Sequence, residues 1–545
     1  MTIRNKVFGM RRPAWWYLAA LCLAASVALS LDVFARSAPE LHKGDWAYVG
    51  HDIRGTHYSA LDQITPKNVI HLVKACAYTF PESVPSESTP VVVAGVLYVT
   101  SDHYTVAING ATCRVVWIYR WKPRARDRVH PNRGAAFVDG KIIRGTSDDF
   151  LIALDATTGS LLWETQVANP AEGYFISMPP LVHGNLIYIG PAGSESAGSG
   201  WVGAFRLSDG RQVWAFHIIP ADGEPGAASW GPDRAARKHA GGAIWTPLSY
   251  DVQKNLLYVP TGNPAPDFYD NDRPGANLYT NSILALDGKT GRLVWYRQFI
   301  SHDAHDYDIT HVSPIFLIDS HTAIATSGKD GLLRVVDGDS HKILYKVPFT
   351  ERLNADAPAS FTPVRVCPGT LGGNEWNGPA YSPKLRLLVV PSIDQWCSMI
   401  KKDTQPPSAE KANAGEQRYF GGPINHDPYS QARGRLTGFD ASTGKKRWRY
   451  EAPTPLVAGV ALTASNLLFT GEVGGYFDAL DAQTGQVLVH YDLSASIQGG
   501  VITYLAYGQQ CVAVVSGNGG VLNERSIPAI KGGNPTVTIF ALPKR

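Results

Sequence analysis

Between Trp245 and Asp308 the chain gathers three kinds of side chain whose chemistry belongs together. They are the indole of Trp245, the amide of Asn263 in the turn Thr261-Gly262-Asn263-Pro264, and the acidic run holding Asp303, Asp306 and Asp308. A flat aromatic ring offers a stacking surface, and an amide oxygen among closely spaced carboxylates suits a hard cation. A planar cofactor beside a metal ion needs both. Each residue also has a plainer reading: aspartates cap turns, Asn before Pro marks one, and a Trp can simply pack sheets. What separates the two readings is the framework that holds these residues.

That framework is a repeat, Ala-x-Asp-x-x-Thr-Gly-x-x-x-Trp, clearest from Ala153 to Trp163 and from Ala285 to Trp295. Weaker copies run Ala107 to Trp117, Ala204 to Trp214, Val335 to Tyr345, Gly438 to Trp448 and Ala479 to Val489. Each reads as a strand end, an Asp/Gly turn that tolerates positive φ, and a returning strand whose aromatic packs on a neighbour. Most copies start about 40 to 50 residues apart, the period of four-stranded propeller blades. The long gap between Val335 and Gly438 leaves room for one more blade, with strands expected at Glu375 to Pro383 and Leu387 to Ser392. This predicts an all-β, eight-bladed β-propeller closed by N- and C-terminal strands, the segment at Trp46 pairing with Thr536 to Phe540. A solenoid is disfavoured because nothing resembles polar capping repeats. Glu351 to Ala359 and Lys401 to Arg433 are polar and rich in turn residues, so both are expected as loops over one end of the ring.

The 545 residues are 44% hydrophobic and 18% charged, with a formal net charge of +3 and no basic stripe, which argues against a nucleic-acid partner. Arg4, Lys6, Arg11 and Arg12 precede an apolar run from Ala14 to Leu31 and small residues around Ala38. Residues 1–38 therefore read as a signal peptide for export to a periplasm, with residues 39–545 as the propeller. The alternative is an uncleaved anchor, the one circumstance that implies membrane contact. Cys76, Cys113, Cys367, Cys397 and Cys511 remain after export, an odd number; Cys367 and Cys397 are expected to form a bridge in an oxidising compartment. No Cys-x-x-Cys-His occurs, so no covalently held c-type haem is expected within this sequence.

Together with the repeat, Gly193-Ser194-Glu195, Trp245, Thr261-Gly262-Asn263-Pro264 and Asp306-Tyr307-Asp308 make the chain resemble the quinoprotein alcohol dehydrogenases, pyrroloquinoline quinone (PQQ) enzymes built as eight-bladed propellers. The likeness extends to Arg54 to Ser59, Asn68-Val69, Ile502-Thr503-Tyr504, Gly508-Gln509-Gln510 and Ser516 to Gly520. It implies Glu195, Asn263 and Asp306 as metal ligands, Asp306 also as catalytic base, and Trp245 as the floor under the quinone. Around the quinone edge it implies Glu87, Arg133, Ser177 (where the family usually has Thr) and Lys329. The expected reaction is hydride transfer from an alcohol, polyol or sugar hydroxyl to the quinone. A separate acceptor, most simply a soluble cytochrome c, would then take the electrons. The contrasting expectation is an envelope scaffold that kept the turns and lost the cofactor.

Three departures qualify the likeness. Many family members place two adjacent cysteines above the quinone, where this chain has Asp127-Arg128-Val129-His130. His130 could cover the quinone, although a loop histidine is more often solvated. The usual glycine and arginine after the glutamate are Ala197 and Ser199. Finally, Asp308 stands where members that use calcium generally have a small uncharged residue and members that use lanthanides have an aspartate. In an extended segment Asp306 and Asp308 would face one side, which adds Asp308 as a fourth ligand. The expected cation is Ca²⁺ or a lanthanide ion, and the extra carboxylate points to the lanthanide.

Overall fold

The computed structural model describes residues 1–2, 42–124, 130–525 and 527–543. The expected targeting segment from Arg4 to Ala38, and Asp127 and Arg128, lie outside the described residues. Among the described residues no helix is long and apolar enough to cross a membrane. Among the described residues, helix is confined to the short Ala409–Asn413 and single 3₁₀ turns; the rest of their regular structure is strand.

Among the described residues eight sheets have four or five strands each, and a ninth has three. The first shows how sequence makes a sheet here. Val91–Val93, Val96–Thr100 and Tyr104–Asn109 are almost wholly buried, whereas Val115–Arg120 is largely exposed. Inner strands are covered on both faces and so read as continuous apolar runs; the outermost strand meets water.

The repeat is the joint between neighbouring sheets. In the Ala153 copy, Asp155 Oδ1 accepts from the Thr157 and Thr158 amides at 3.0 and 2.8 Å and from Thr158 Oγ1 at 2.9 Å, an Asx turn that the motif's Asp and Thr create. The fourth motif residue, Ala156, accepts at its carbonyl from Trp117 Nε1 of the preceding sheet at 2.9 Å. The same link runs from Trp163 to Leu207 (3.1 Å), Trp214 to Gly288 (3.1 Å) and Trp448 to Ala482 (3.0 Å). Tyr345, the aromatic of a weaker copy, donates its hydroxyl to the Ala441 carbonyl instead, at 2.8 Å. The motif glycine is required twice over: Gly159 has φ 73°, and a Cβ there would come within 2.6 Å of the Trp117 ring.

Two expectations about the sheets need correcting. Ala380–Ser382 and Leu387–Asp394 are not a separate motif-less sheet; they pair with Arg433–Asp440 and Lys446–Ala452, which carry the Gly438 copy. The sheet without the motif joins the two ends of the chain: Val73–Thr79, Thr536–Ala541, Gln509–Ser516 and Ile497–Ala506. The partner of Thr536–Ala541 is thus Val73–Thr79, not Trp46, whose amide donates to the Val92 carbonyl at 2.9 Å. Gln510 staples the ends, its amide donating to Gln63 Oε1 at 2.7 Å and its Oε1 accepting from the Ile64 amide at 2.9 Å. Tyr504 donates to the Gly110 carbonyl of the first sheet at 2.6 Å.

Both disulfides tie excursions to this frame. Cys367–Cys397 forms as expected, and Cys76–Cys113 links Val73–Thr79 to the turn of the first sheet. Cys511 is left as a buried thiol whose pKa burial pushes up to about 11, which explains the odd count. The expected second loop is partly ordered: Ile424–His426 joins Ser398–Ile400 and Val364–Val366 in the three-stranded sheet.

Candidate active site

A cavity of about 820 Å³ brings together Glu87, Arg133, Ser177, Glu195, Trp245, Asp306, Asp308 and Lys329 from widely separated parts of the chain. Of the sequence-derived set, Asn263 alone does not line it, yet its amide donates to Asp308 Oδ1 at 2.9 Å. Phe420, Ile424, His426 and Tyr429, from the stretch expected to be a loop, form part of its wall with Trp376 and Trp396.

The acidic run is shaped by Asp303, which is not itself among the lining residues. Its two carboxylate oxygens accept from the His305 amide at 3.1 Å and the Tyr307 amide at 2.8 Å, folding the loop onto itself. Asp306 consequently sits at φ 62°, outside the extended region expected for it, although its carboxylate and that of Asp308 still reach the same cavity. What they share is Lys329: its Nζ lies 3.0 Å from Asp306 Oδ1 and 2.9 Å from Asp308 Oδ2. Burial works against the ammonium, but the two carboxylates outweigh it and raise the Lys329 pKa well above the ordinary lysine value. Asp308 has its oxygens divided between Lys329 and the Asn263 amide. Gly262 is what lets it approach, since a Cβ there would lie 2.7 Å from Asp308 Oδ1.

The residue that sequence reasoning missed is Asp267. Glu195, Asp267 and Asp306 each present a carboxylate oxygen, all within 4.8 Å of one another. Asp267 Oδ1 accepts from Asn263 Nδ2 at 3.0 Å. Burial, with the Glu195 charge adding, raises the Asp267 pKa well above the carboxylate range; burial also raises Asp306, against the pull of Lys329. An acid four residues after Asn263 was the available signal, masked by the prolines at 264 and 266, which make the segment read as a turn.

On the other side, Arg133 pairs with Glu87 at 2.7 Å, and its guanidinium lies 5.0 Å from the Trp245 ring centre and 5.5 Å from that of Trp376. Lys329 Nζ lies 5.6 Å from the same Trp245 ring. Glu375, another residue not singled out beforehand, is buried beside them, and burial lifts its pKa to about 7 despite Lys329. His130 differs from the solvated residue expected: it is half-buried, stacks on Phe175 at 3.7 Å with ring planes 4° apart, and lines the cavity. Ala197 caps the short turn holding Glu195, and Ser199 Oγ donates to the Arg237 carbonyl at 3.0 Å.

The donors and acceptors left over suit a charged planar guest and a cation. Arg133 Nε, Ser177 Oγ and Glu375 Oε1 are buried without partners around the cavity, and so are Asn263 Oδ1 and Asp267 Oδ2 at the carboxylate cluster. Orphaned buried polar atoms in a native structure call for a ligand or ion. A cation among Glu195, Asp267 and Asp306 would also supply the charge that burial denies them.

Sheets joined by Trp-to-turn bonds, with a pocket suited to a charged planar guest and a cation, define a propeller-type protein with a cofactor site. Comparison with known proteins narrows this. The family model for glucose/ethanol/alcohol dehydrogenase, β-propeller domain, matches residues 46–353, and that for outer membrane protein assembly factor BamB matches 432–534. The quinohemoprotein alcohol dehydrogenase ADH IIB of Pseudomonas putida is 28% identical over 98% of this chain and 83% of its own length. The quinoprotein alcohol dehydrogenase PedH of Pseudomonas putida is 30% identical, covering 87% of this chain and 86% of PedH. A europium-containing methanol dehydrogenase superposes with a TM-score of 0.82 at 26% identity, over 92% of this chain and 98% of that one. The chain belongs to the PQQ-dependent alcohol dehydrogenase family. It is a quinoprotein dehydrogenase acting on CH–OH groups, with PQQ and Ca²⁺ or a lanthanide ion as cofactors.

Proposed function

We propose that this protein oxidises an alcohol, polyol or sugar hydroxyl in the periplasm, using the cavity around Trp245, and passes the electrons to a separate carrier such as a soluble cytochrome c. The observation that carries this reading is the buried Asp306, held 3.0 Å from Lys329 Nζ and clustered with Glu195 and Asp267 at the cavity. When bound, PQQ supplies the hydride acceptor and the cation supplies a Lewis acid.

The chain's own groups do the rest. Asp306 takes the hydroxyl proton of the substrate, a general-base role that needs an ionised carboxylate. Lys329 favours that ionised state by its charge and is placed to stabilise negative charge developing nearby. Glu195, Asn263 and Asp306 are the residues we assign to the cation, with Asp308 beside them on Lys329 and the Asn263 backbone amide. Trp245 provides the floor, Arg133 pairs with a cofactor carboxylate, and Glu87, Ser177 and Lys329 complete the polar edge. The stacked pair of His130 and Phe175 lies on the same cavity and excludes water where adjacent cysteines are missing.

We also read the eight larger sheets as blades of one closed ring over residues 39–545, because the Trp- and Tyr-to-turn bonds, the stacking of Trp295 on His341 at 4.3 Å and of Phe477 on Phe540 at 4.8 Å link successive sheets, and Tyr504 returns to Gly110. Export through residues 1–38 fits a compartment in which two disulfides persist. The europium in one structural neighbour, together with Asp308, favours a lanthanide over Ca²⁺.

The second reading, a scaffold that has lost its cofactor, draws on the match of 432–534 to the assembly-factor model. That segment contains none of the assigned site residues. The deciding experiment is reconstitution of the protein with PQQ and either Ca²⁺ or La³⁺, followed by dye-linked oxidation of a panel of alcohols, polyols and aldoses. Turnover on one class with one cation is expected. Failure to bind the quinone under either condition would favour the scaffold.

A further inference from the structure

Asp267 has two features that a turn residue does not need. Its backbone is fixed without help from its carboxylate, because the fully buried Arg273 donates through Nη2 to the Pro266 and Asp267 carbonyls at 2.9 and 3.2 Å and through Nη1 to Asn277 Oδ1 at 2.9 Å. The side chain is wholly buried, yet only Oδ1 has a donor, Asn263 Nδ2; Oδ2 has none. An aspartate present only to accept from Asn263 would leave a desolvated charge uncompensated, an expensive arrangement when a neutral amide could accept the same bond.

The surroundings point the same way. Asn263 Oδ1, 1% exposed, is a second orphaned acceptor on the residue bonded to Asp267. Asp308, by contrast, has one oxygen on the Asn263 amide and the other on Lys329. The three carboxylates that approach within 4.8 Å are those of Glu195, Asp267 and Asp306. We propose that Asp267 is a ligand of the active-site cation, completing with Glu195, Asp306 and Asn263 Oδ1 a donor set in which Asp308 acts through Lys329 and the Asn263 backbone. This rests on the active-site reading given above and adds to it a ligand that the sequence motif does not contain.

Charge follows from the geometry. Once a cation ionises the four carboxylates of Glu195, Asp267, Asp306 and Asp308, they leave three negative charges against the single ammonium of Lys329. That excess matches a trivalent ion, whereas a divalent ion leaves one charge uncompensated in a site removed from water. Asp267 therefore determines how strongly the site prefers a trivalent cation.

The test uses Eu³⁺ bound to the PQQ-loaded protein, with affinity from luminescence titration and coordinated waters from decay lifetimes in H₂O and D₂O. Asp267→Asn keeps the acceptor for Asn263 Nδ2 and hence the fold, checked by the melting of the apo form. It is expected to weaken Eu³⁺ by about a hundredfold, the upper end of what even outer partners of a metal contribute, and to weaken Ca²⁺ less. Asp267→Ala is expected to admit an additional coordinated water. Glu195→Gln is the control for the site itself. If Glu195→Gln loses Eu³⁺ while both Asp267 variants keep the affinity and hydration of the parent, Asp267 is not a ligand and the active-site reading survives. If Glu195→Gln binds as the parent does, the cation lies elsewhere and both readings fall.

Discussion

Replacing Trp245 by alanine separates a cofactor floor from a core residue, and the expected size of the effect follows from where the ring sits. Trp245 is only partly buried; it packs against a cluster that includes Trp376, Ile393 and Trp396, and it lines the cavity. A stacked planar guest gains about 0.5 to 1.5 kcal/mol beyond burial. Covering part of a large aromatic adds roughly 1 kcal/mol, about half the value for full burial of an apolar side chain. The sum is about 2 kcal/mol, or a roughly thirtyfold weaker Kd for the quinone at 1.4 kcal/mol per decade. Arg133 and Lys329, at 5.0 and 5.6 Å from the ring centre, each forfeit a cation–π contact worth about 0.5 to 1 kcal/mol, which loosens the groups that would meet the cofactor's carboxylates. In the apo protein the cost is smaller than the ~3 to 5 kcal/mol of deleting a fully buried tryptophan, and in a chain this long that moves Tm by only a few degrees. Quenching of apoprotein fluorescence by PQQ, with calorimetry of the apo form, measures both. Unchanged quinone affinity combined with a collapse of the apo transition would make Trp245 a core residue and refute the reasoning.

Asp306→Asn keeps an oxygen at the cation and leaves Lys329 paired with Asp308 at 2.9 Å, so fold and quinone binding should persist while dye-linked oxidation falls by about 10² to 10⁴; undiminished kcat would end its assignment as base. Asp149 offers a pH test away from the site. Burial, with Asp148 adding, pushes its pKa up to about 8, and neither of its oxygens has a partner. The folded state thus holds a proton that the unfolded chain releases near its ordinary value, so this residue's contribution to stability falls as pH rises from about 4 towards 8. Asp149→Asn, compatible with φ 65°, should raise Tm, and by more at pH 8 than at pH 5; a gain independent of pH would contradict the assignment.

Much of the architecture was legible because its signals are local. In the Ala153, Ala285, Gly438 and Ala479 copies the turn's Asp, Thr and Gly lie within five residues, and the Asp and Thr bond to one another, as at Asp155 and Thr158, so they can be read without knowing what lies beyond. The turn-closing aromatic was legible as a packing residue, and the structure adds its partner, the turn carbonyl of the next sheet. The candidate site residues came from the resemblance, since Glu195, Asn263 and Asp306 each sit in a short motif, and the structure brings Glu195 and Asp306 to one cavity with Asn263 bonded to Asp308 beside them.

Whatever depended on the pairing of distant segments was decided only by the tertiary structure. Leu387–Asp394 belongs to the same sheet as Arg433–Asp440 across a long excursion, and no local pattern distinguishes that from a sheet of its own. Val73–Thr79 rather than Trp46 meets Thr536–Ala541, because a strand's partner is set by which edge the rest of the chain leaves open. Asp306 and Asp308 do reach one cavity, not through an extended backbone but because the carboxylate of Asp303 bends the loop and puts Asp306 at φ 62°. Asp267 looked like a turn residue until Arg273 and Asn263 fixed it beside Glu195. By itself the sequence determined the class of fold, the repeat and the identity of most groups that could do chemistry, all encoded within a few residues. Which carboxylates converge on one point was decided by contacts between segments far apart in the chain, where position depends on how all the sheets pack.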